Sequence, residues 1–326
     1  MSDQQLRCTI CQSMVDEEDL FCANCGAEVP PPAGGLARTA PGARLATYNF
    51  ECTGCGASMS YDTRAGGLRC PFCASEQLVA KPDAKILAPE RVVPFNTSHE
   101  QALVAMRGWL GRGFFRPGDL VAQAAVVRMQ PVYVPYWVFA AETQTHWTAD
   151  SSQTPAGARA SWYPLAGEHQ GQYENLLIGA SGALTPGETH ALCPFDLAAG
   201  VAPEQVDLDN VTVEQFSVPR KYARPLARSG IESLEAQACA ARYVPGSARN
   251  VHVNVRITAL TSTPVLLPMW IMAYRYRERV FRLLVNGQTG KVTGQAPRSW
   301  WKLLLIPAAA LAVLLTALMC AGLLGR

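Results

Sequence analysis

The sequence predicts an α+β protein built from three kinds of part: two small N-terminal zinc ribbons, a pseudo-duplicated helix-plus-antiparallel-sheet body, and one C-terminal transmembrane helix. Three observations carry this prediction: four Cys-x-x-Cys pairs in the first quarter of the chain, two similar apolar segments in its middle part, and an uncharged run near its end. The predicted boundaries are 1–28 (zinc ribbon 1), 29–47 (flexible linker), 48–82 (zinc ribbon 2), 86–296 (body) and 300–324 (transmembrane helix with an interfacial Trp-Trp-Lys).

The Cys-x-x-Cys pairs group by twos. Ten residues separate the first pair from the second, and fourteen separate the third from the fourth. A two-residue gap lets both thiolates of a pair face one ion from a tight turn, and two pairs complete a tetrahedral four-sulfur zinc site. Because all four positions are sulfur, no coordination position stays open for catalysis. We therefore expect two structural zinc ions, with the ligands Cys8, Cys11, Cys22, Cys25, Cys52, Cys55, Cys70 and Cys73.

The segment between the ribbons, VPPPAGGLARTAPGARLAT (29–47), is rich in proline, glycine and alanine, which is typical of a mobile tether. In the body, Ser98 is placed to cap a helix through HEQALVAMRGWL. A second helix is predicted to start at 117–119 and a third at Ile231–Tyr243, with extended runs between and after them.

Two segments of the body align without gaps: VYVPYWVFAAET (Val132–Thr143) and VLLPMWIMAYRY (Val265–Tyr276). Trp137 matches Trp270, and each segment follows a helical stretch at a comparable distance. This pattern predicts two versions of one helix-plus-strands unit. Either tryptophan could mark a ligand groove, but a tryptophan on a strand is more often part of the core, and we favour that interpretation.

The run LLLIPAAALAVLLTALMCAGLL (303–324) carries no charge and is long enough, at about 1.5 Å per residue, to cross a hydrocarbon core of about 30 Å. Trp300, Trp301 and Lys302 precede it, as expected at a membrane interface. The excess of basic residues before the run, and thiolates that need a reducing compartment, place the N-terminal bulk in the cytoplasm. We thus expect a single-pass, tail-anchored protein.

Several strings together resemble a bacterial family of membrane-anchored zinc-ribbon proteins: YNFECTGCGASMSYDTRAGGLRCPFCAS, FFRPGDL, PVYVPYWVF, LCPFDL, LPMWIMAYRYRERVFRLLVNGQTGKV and SWWK. The resemblance covers most of residues 48–326. Its members are described as transcription factor IIB-type zinc-ribbon proteins or as primosomal protein N′-like (replication factor Y). The resemblance implies an inner-membrane location and partners among phage-shock-type or flotillin-like proteins of the envelope-stress response.

Enzymatic classes are poorly supported by the residues. The string nearest to a P-loop, VNGQTGKV, has valine where the first glycine and the final serine or threonine belong, so a hairpin turn explains it better. The five histidines are scattered without metal or triad spacing. The formal charge of +2 falls to about −2 once two four-thiolate zinc sites are counted, and this gives no basic face for nucleic acid.

We therefore predict a non-catalytic, tail-anchored zinc-ribbon adaptor or scaffold that assembles proteins at the cytoplasmic face of the bacterial membrane. The alternative is a zinc-ribbon nucleic-acid-binding protein linked to replication or transcription.

Overall fold

A computed structural model describes residues 6–8, 10, 12, 14–15, 49–60, 69–73, 75–80, 87–157, 161–208 and 211–302. The chain divides into two compact units. Unit 1 comprises Met1–Pro94 and Val132–Pro268, and unit 2 comprises Phe95–Pro131 and Met269–Arg326.

The strands are β1 (Leu6–Arg7), β2 (Met14–Val15), β3 (Asn49–Cys52), β4 (Ser58–Ser60), β5 (Leu78–Ala80), β6 (Arg91–Val92), β7 (Ala125–Ser151), β8 (Tyr163–Gly179), β9 (Thr212–Glu214), β10 (Ala248–Tyr276), β11 (Arg279–Asn286) and β12 (Val292–Gly294). The helices are α1 (His99–Gly111), α2 (Leu120–Gln123), α3 (Pro186–Leu192) and α4 (Arg220–Tyr243). Two short 3-10 turns lie at Leu197–Ala199 and Pro203–Gln205.

The sheet of unit 1 is mixed. Its strands follow the order β10, β7, β9, β4, β3, β5, with β6 beside β10 and β8 beside β7. The pairs β6–β10 and β7–β9 are parallel, whereas β7–β8, β4–β9, β3–β4 and β3–β5 are antiparallel. The predicted antiparallel sheet is therefore wrong. The physical reason is that a long stretch of chain separates the strands of each parallel pair, residues 93–247 between β6 and β10 and residues 152–211 between β7 and β9, and a connection of that length allows parallel pairing.

Helix α4 covers the hairpin formed by β7 and β8. Its inward side carries Ala223, Ala227, Ile231, Glu235 and Cys239, which recur every four residues and are all buried. The sequence placed the start of this helix eleven residues too late. Pro225 lies inside the helix and interrupted the pattern, although a proline near the N-terminus removes only one backbone donor.

In unit 2, α1 begins as predicted. Ser98 is its N-cap, and the Ser98 hydroxyl and the Gln101 side chain form a reciprocal capping box. Met106 and Leu110 of α1 are buried in a cluster with residues of β10 and β11. The second helix is only four residues long, because the chain enters β7 at Ala125.

The hairpin between β11 and β12 is confirmed. Val285 pairs with Val292, and the Asn286 side-chain oxygen accepts from the backbone N–H groups of Gln288 and Thr289. Gly290 supplies the positive φ of 70° that the turn needs. These bonds account for the VNGQTGKV string as a turn.

Each of the two aligned tryptophans bonds to the start of a helix. In unit 1, the Trp137 indole donates to the Val218 carbonyl at 2.8 Å, immediately before the N-cap Pro219 of α4. The Trp137 ring also packs at a tilt on Phe216, with centroids 5.2 Å apart. Trp137 is 1% exposed, which agrees with the core interpretation.

Unit 2 repeats this arrangement. The Trp270 indole donates to the Thr97 carbonyl at 3.0 Å, immediately before the N-cap Ser98 of α1, and the Trp270 ring meets Phe95 edge-on at 5.4 Å. The sequence suggested that each tryptophan would contact the helix that precedes it in the chain. Instead, Trp137 bonds to the start of α4, which comes later in the chain, and Trp270 bonds to the start of α1. Sequence distance alone could not reveal these contacts.

The prediction of a tail-anchored membrane protein is corrected. Among the described residues, no helix combines the length and the apolar character needed to cross a bilayer. The 24-residue α4 is long enough but carries Arg224, Arg228 and Glu232, and α1 has only 13 residues. The predicted span 300–324 lies outside the described residues after Lys302. The prediction used the hydropathy of the terminal run and the aromatic and basic residues before it, and no described helix supports it. The transmembrane helix, the membrane as a partner and the inner-membrane location are therefore withdrawn.

We expect Trp137→Phe to lower the free energy of unfolding by about 2–4 kcal/mol, because it removes a donor from a buried carbonyl and leaves a void beside Phe216. Trp270→Phe should give a loss of similar size. Urea unfolding followed by circular dichroism measures both, with Tyr222→Phe as a control because Tyr222 is 60% exposed. An unchanged midpoint for Trp137→Phe would contradict this account of the indole bond.

Candidate metal centre

Four cysteines of the second predicted ribbon meet in one cluster: Cys52, Cys55, Cys70 and Cys73. Their sulfur atoms all lie within 4.8 Å of one another. The Cys52–Cys73 and Cys55–Cys70 sulfur distances are both 3.5 Å. Zinc–sulfur bonds of about 2.3 Å place the corners of a tetrahedron about 3.8 Å apart. The cluster can therefore bind a metal ion, and its sulfur set and spacing fit tetrahedral zinc.

The first pair of ligands is held by the β3–β4 hairpin. Cys52 is the last residue of β3 and is fully buried. The Gly56 N–H donates to the Cys52 carbonyl at 2.8 Å, and Gly56 takes φ +75°, a conformation that glycine adopts at little cost. The Ala57 backbone N–H bonds to the Cys55 sulfur. This turn aims both thiols into the cluster.

The second pair is held by a turn before β5. The Cys70 sulfur accepts from the backbone N–H groups of Phe72 and Cys73, and the Cys73 sulfur accepts from that of Ser75. Cys70 is fully buried, whereas Cys73 is exposed. Backbone donors stabilise thiolates, which are the form that binds a metal.

Neighbouring thiols shift one another's ionisation. The pKa of Cys55 is lowered to about 5, mainly because the Cys70 thiol donates to it. The same hydrogen bond is the main cause of a raised pKa of Cys70, and burial is the second cause. Burial also raises the pKa of Cys73. Cys55 therefore ionises more readily than a free thiol, whereas Cys70 and Cys73 ionise less readily, and a bound divalent cation would stabilise their thiolates.

The ribbon that carries the cluster is part of the sheet of unit 1. β4 pairs with β9 through Met59↔Glu214 and Ser60↔Val213. Gln215 extends this joint: its backbone N–H donates to the Ser58 carbonyl at 2.8 Å, and its side-chain amide donates to Asn49 and Ser60. The position of the cysteine cluster is therefore fixed against the rest of unit 1.

Glu214 is a buried carboxylic acid at this joint, 1% exposed. One oxygen accepts from the Ser181 hydroxyl at 2.7 Å and from the backbone N–H groups of Gly182 and Ala183. The pKa of Glu214 is nevertheless raised to about 7, chiefly by burial, with a smaller contribution from Cys55. Sequence reasoning missed Glu214, because it lies in a three-residue strand that gives no periodic signal.

The first predicted site is described only in part. Cys8 is buried and directly follows β1, which pairs with β2 as a two-residue hairpin. The Gln12 N–H donates to the Cys8 carbonyl at 3.0 Å. Cys11, Cys22, Cys25 and the linker 29–47 lie outside the described residues.

Comparison with known proteins gives one informative match. The chain is similar to the uncharacterized protein YdjG of Bacillus subtilis (strain 168), with 23% identity over 77% of this chain and 90% of that protein. No family model matches the chain, and no solved structure gives a significant match. At this level of identity the similarity does not assign a family.

The raised pKa of Glu214 predicts a pH dependence of stability. Its ordinary value is 4.5, so the folded state holds the proton more tightly than the unfolded state does, and stability falls as pH rises from about 4.5 through 7. A rise to about 7 corresponds to about 3 kcal/mol. We expect Glu214→Gln to remove this decline, as measured by urea unfolding between pH 5 and 8. Parallel pH profiles for the two proteins would contradict it.

Proposed function

We propose that this chain is a non-catalytic zinc-ribbon adaptor, a protein that presents surfaces for the assembly of other proteins. The proposal rests on the closed four-sulfur cluster Cys52, Cys55, Cys70 and Cys73. Four protein sulfurs complete the coordination of zinc, and such sites stabilise folds and do not activate water. The resemblance to transcription factor IIB-type zinc ribbons favours the same interpretation.

In this proposal each ribbon holds one zinc ion, the second ion being bound by Cys8, Cys11, Cys22 and Cys25. A ribbon of about 20–30 residues buries too little apolar surface to fold alone, and metal binding provides the missing free energy. The buried Cys8 beside the β1–β2 hairpin is in keeping with this assignment.

The ribbon also offers a surface suited to an adaptor. In unit 1, β5 ends the strand order and pairs only with β3 among the described strands. Val79 on β5 is 51% exposed. An edge strand with an exposed apolar side chain is a common docking site for an extended segment of another protein.

The metal assignment predicts two zinc ions per chain purified without chelator, measured by inductively coupled plasma mass spectrometry. The double variant Cys52→Ser/Cys70→Ser should hold one, and its ribbon should become sensitive to proteolysis. Cys193→Ser is the matched control and should hold two. A wild-type content below one zinc per chain would overturn the structural-zinc assignment.

The adaptor role predicts that wild-type protein captures a defined protein partner in stoichiometric amount, and that Cys52→Ser/Cys70→Ser loses it while Cys193→Ser keeps it. Affinity capture with quantitative mass spectrometry measures this. Val79→Asp, on the exposed edge, should weaken capture without loss of zinc. Salt-resistant binding of DNA by the wild type, lost in the cysteine variant, would instead favour nucleic-acid binding.

A further inference from the structure

The sheet of unit 1 has an outer face, on the side away from α4, where strands β8, β7 and β10 lie next to one another. Along β7 from Ala141 to Ala149, the odd-numbered residues are buried and the even-numbered ones are exposed. The buried set packs toward α4, since Trp147 and Ala149 share a cluster with Cys239 of that helix. The exposed residues of the three strands therefore share the opposite face of the sheet.

His146 of β7 and Glu168 of β8 lie on this outer face and are directly opposite each other in the antiparallel pair. The His146 Nδ1 is 3.5 Å from the Glu168 Oε1, and the two side chains are 68% and 75% exposed. A carboxylate beside Nδ1 favours the tautomer that carries its proton there. The Nε2 lone pair of His146 is then available to a metal ion, as in the carboxylate–histidine–metal arrangements of many proteins.

Two contacts fix how β10 lies along β7. The Thr258 hydroxyl donates to the Glu142 carbonyl at 3.1 Å, and the Asn250 amide donates to the Asp150 carboxylate at 2.8 Å. Residue numbers rise along one strand as they fall along the other, so the two strands run antiparallel.

This register brings a second histidine close to His146. Counting along the strands from either contact places His252 opposite Thr148, which is two residues from His146. Such diagonal neighbours have Cβ atoms about 7–8 Å apart or somewhat less, which long and aromatic side chains can span. His252 is exposed, as His146 is, so both rings can turn toward each other without disturbing the core. The two histidines are far apart in the sequence, which is why their spacing gave no signal.

Both histidines line one groove of about 530 Å³, together with Glu168, Thr148, Ala166, Asn254 and the backbone between them. Ala166 lies opposite Thr148, and its short side chain leaves space beside the two rings. Among the described residues that line the groove, none is lysine or arginine, and Glu168 supplies a negative charge. The groove therefore offers two imidazoles to a cation without a fixed positive charge at its wall.

We propose that His146 and His252 bind one divalent transition-metal ion through their imidazole nitrogens, with Glu168 as the positioning residue that orients His146. Imidazole is a preferred ligand of zinc, nickel and copper ions, whereas magnesium and calcium prefer oxygen. Two protein ligands leave coordination positions for water or for a donor atom of another molecule, in contrast to the closed cysteine cluster. The proposal is independent of the zinc-ribbon adaptor role.

Isothermal titration calorimetry of the untagged full chain with Ni²⁺ tests the proposal. The chain is first loaded with zinc to fill the cysteine sites and then dialysed to remove weakly bound zinc. We expect one saturable site for Ni²⁺ and no measurable binding of Mg²⁺. Absence of saturable Ni²⁺ binding, or equal binding of Mg²⁺, would overturn the proposal.

Histidine variants locate the site. His146→Ala and His252→Ala should each weaken Ni²⁺ binding at least tenfold, because each removes one of two ligands. His190→Ala is the matched control and should bind as the wild type does, since His190 is exposed on α3 and lines no part of this groove. Wild-type affinity in either His146→Ala or His252→Ala would contradict a paired site.

The role of Glu168 is tested by a double-mutant cycle. Glu168→Gln should weaken Ni²⁺ binding severalfold in the wild-type background and have no further effect in His146→Ala, because it acts through His146. An equal loss in both backgrounds would contradict the positioning role. All these side chains are exposed, so circular dichroism should show the same fold in every variant.

Discussion

In unit 1, the pairing of β4 with β9 joins the hairpin that carries the cysteine cluster to the rest of the sheet, so the cluster and the sheet depend on each other. β4 belongs to the hairpin that places Cys52 and Cys55, and β9 carries Glu214 and leads into the loop before α4. A three-strand ribbon cannot bury a core of its own, so its order depends on the thiolate cluster and on this shared edge. Disruption of the cysteine cluster would therefore disturb the base of α4 as well as the ribbon.

The tryptophan bonds show a second constraint, which operates at helix starts. The carbonyl just before a helix N-cap lies outside the helix, and burial leaves it without water. Trp137 satisfies the Val218 carbonyl in unit 1, and Trp270 satisfies the Thr97 carbonyl in unit 2. Each indole bonds to the start of a helix that is not the preceding one in the chain. The two segments are therefore related by their contacts as well as by their sequences.

Features formed by residues close together in the sequence were predicted correctly, whereas strand pairings between distant segments were not. The spacing of Cys52, Cys55, Cys70 and Cys73 predicted their cluster, and local sequence also predicted the helix cap at Ser98 and the turn after Val285. The strands β6 and β9 have two and three residues, and their pairing partners lie far away in the sequence: β10 for β6, and β7 and β4 for β9. Hydropathy of the terminal run led to a membrane prediction that the described helices do not support.

Glu214 and Glu235, two buried carboxylic acids of unit 1, are held by different kinds of hydrogen-bond donor. Glu214 has three donors on one oxygen and a cysteine cluster nearby, and its pKa near 7 means that a proton removes its charge under mild conditions. Glu235 instead faces His169 across a gap of 3.8 Å, and its other carboxylate oxygen accepts from the Thr143 hydroxyl. Glu214 is thus held by donors of one short loop, whereas Glu235 is held by a hydroxyl of a neighbouring strand. Both carboxyl groups therefore join elements that are far apart in the sequence: Glu214 links β9 to the 181–183 loop, and Glu235 links α4 to β7.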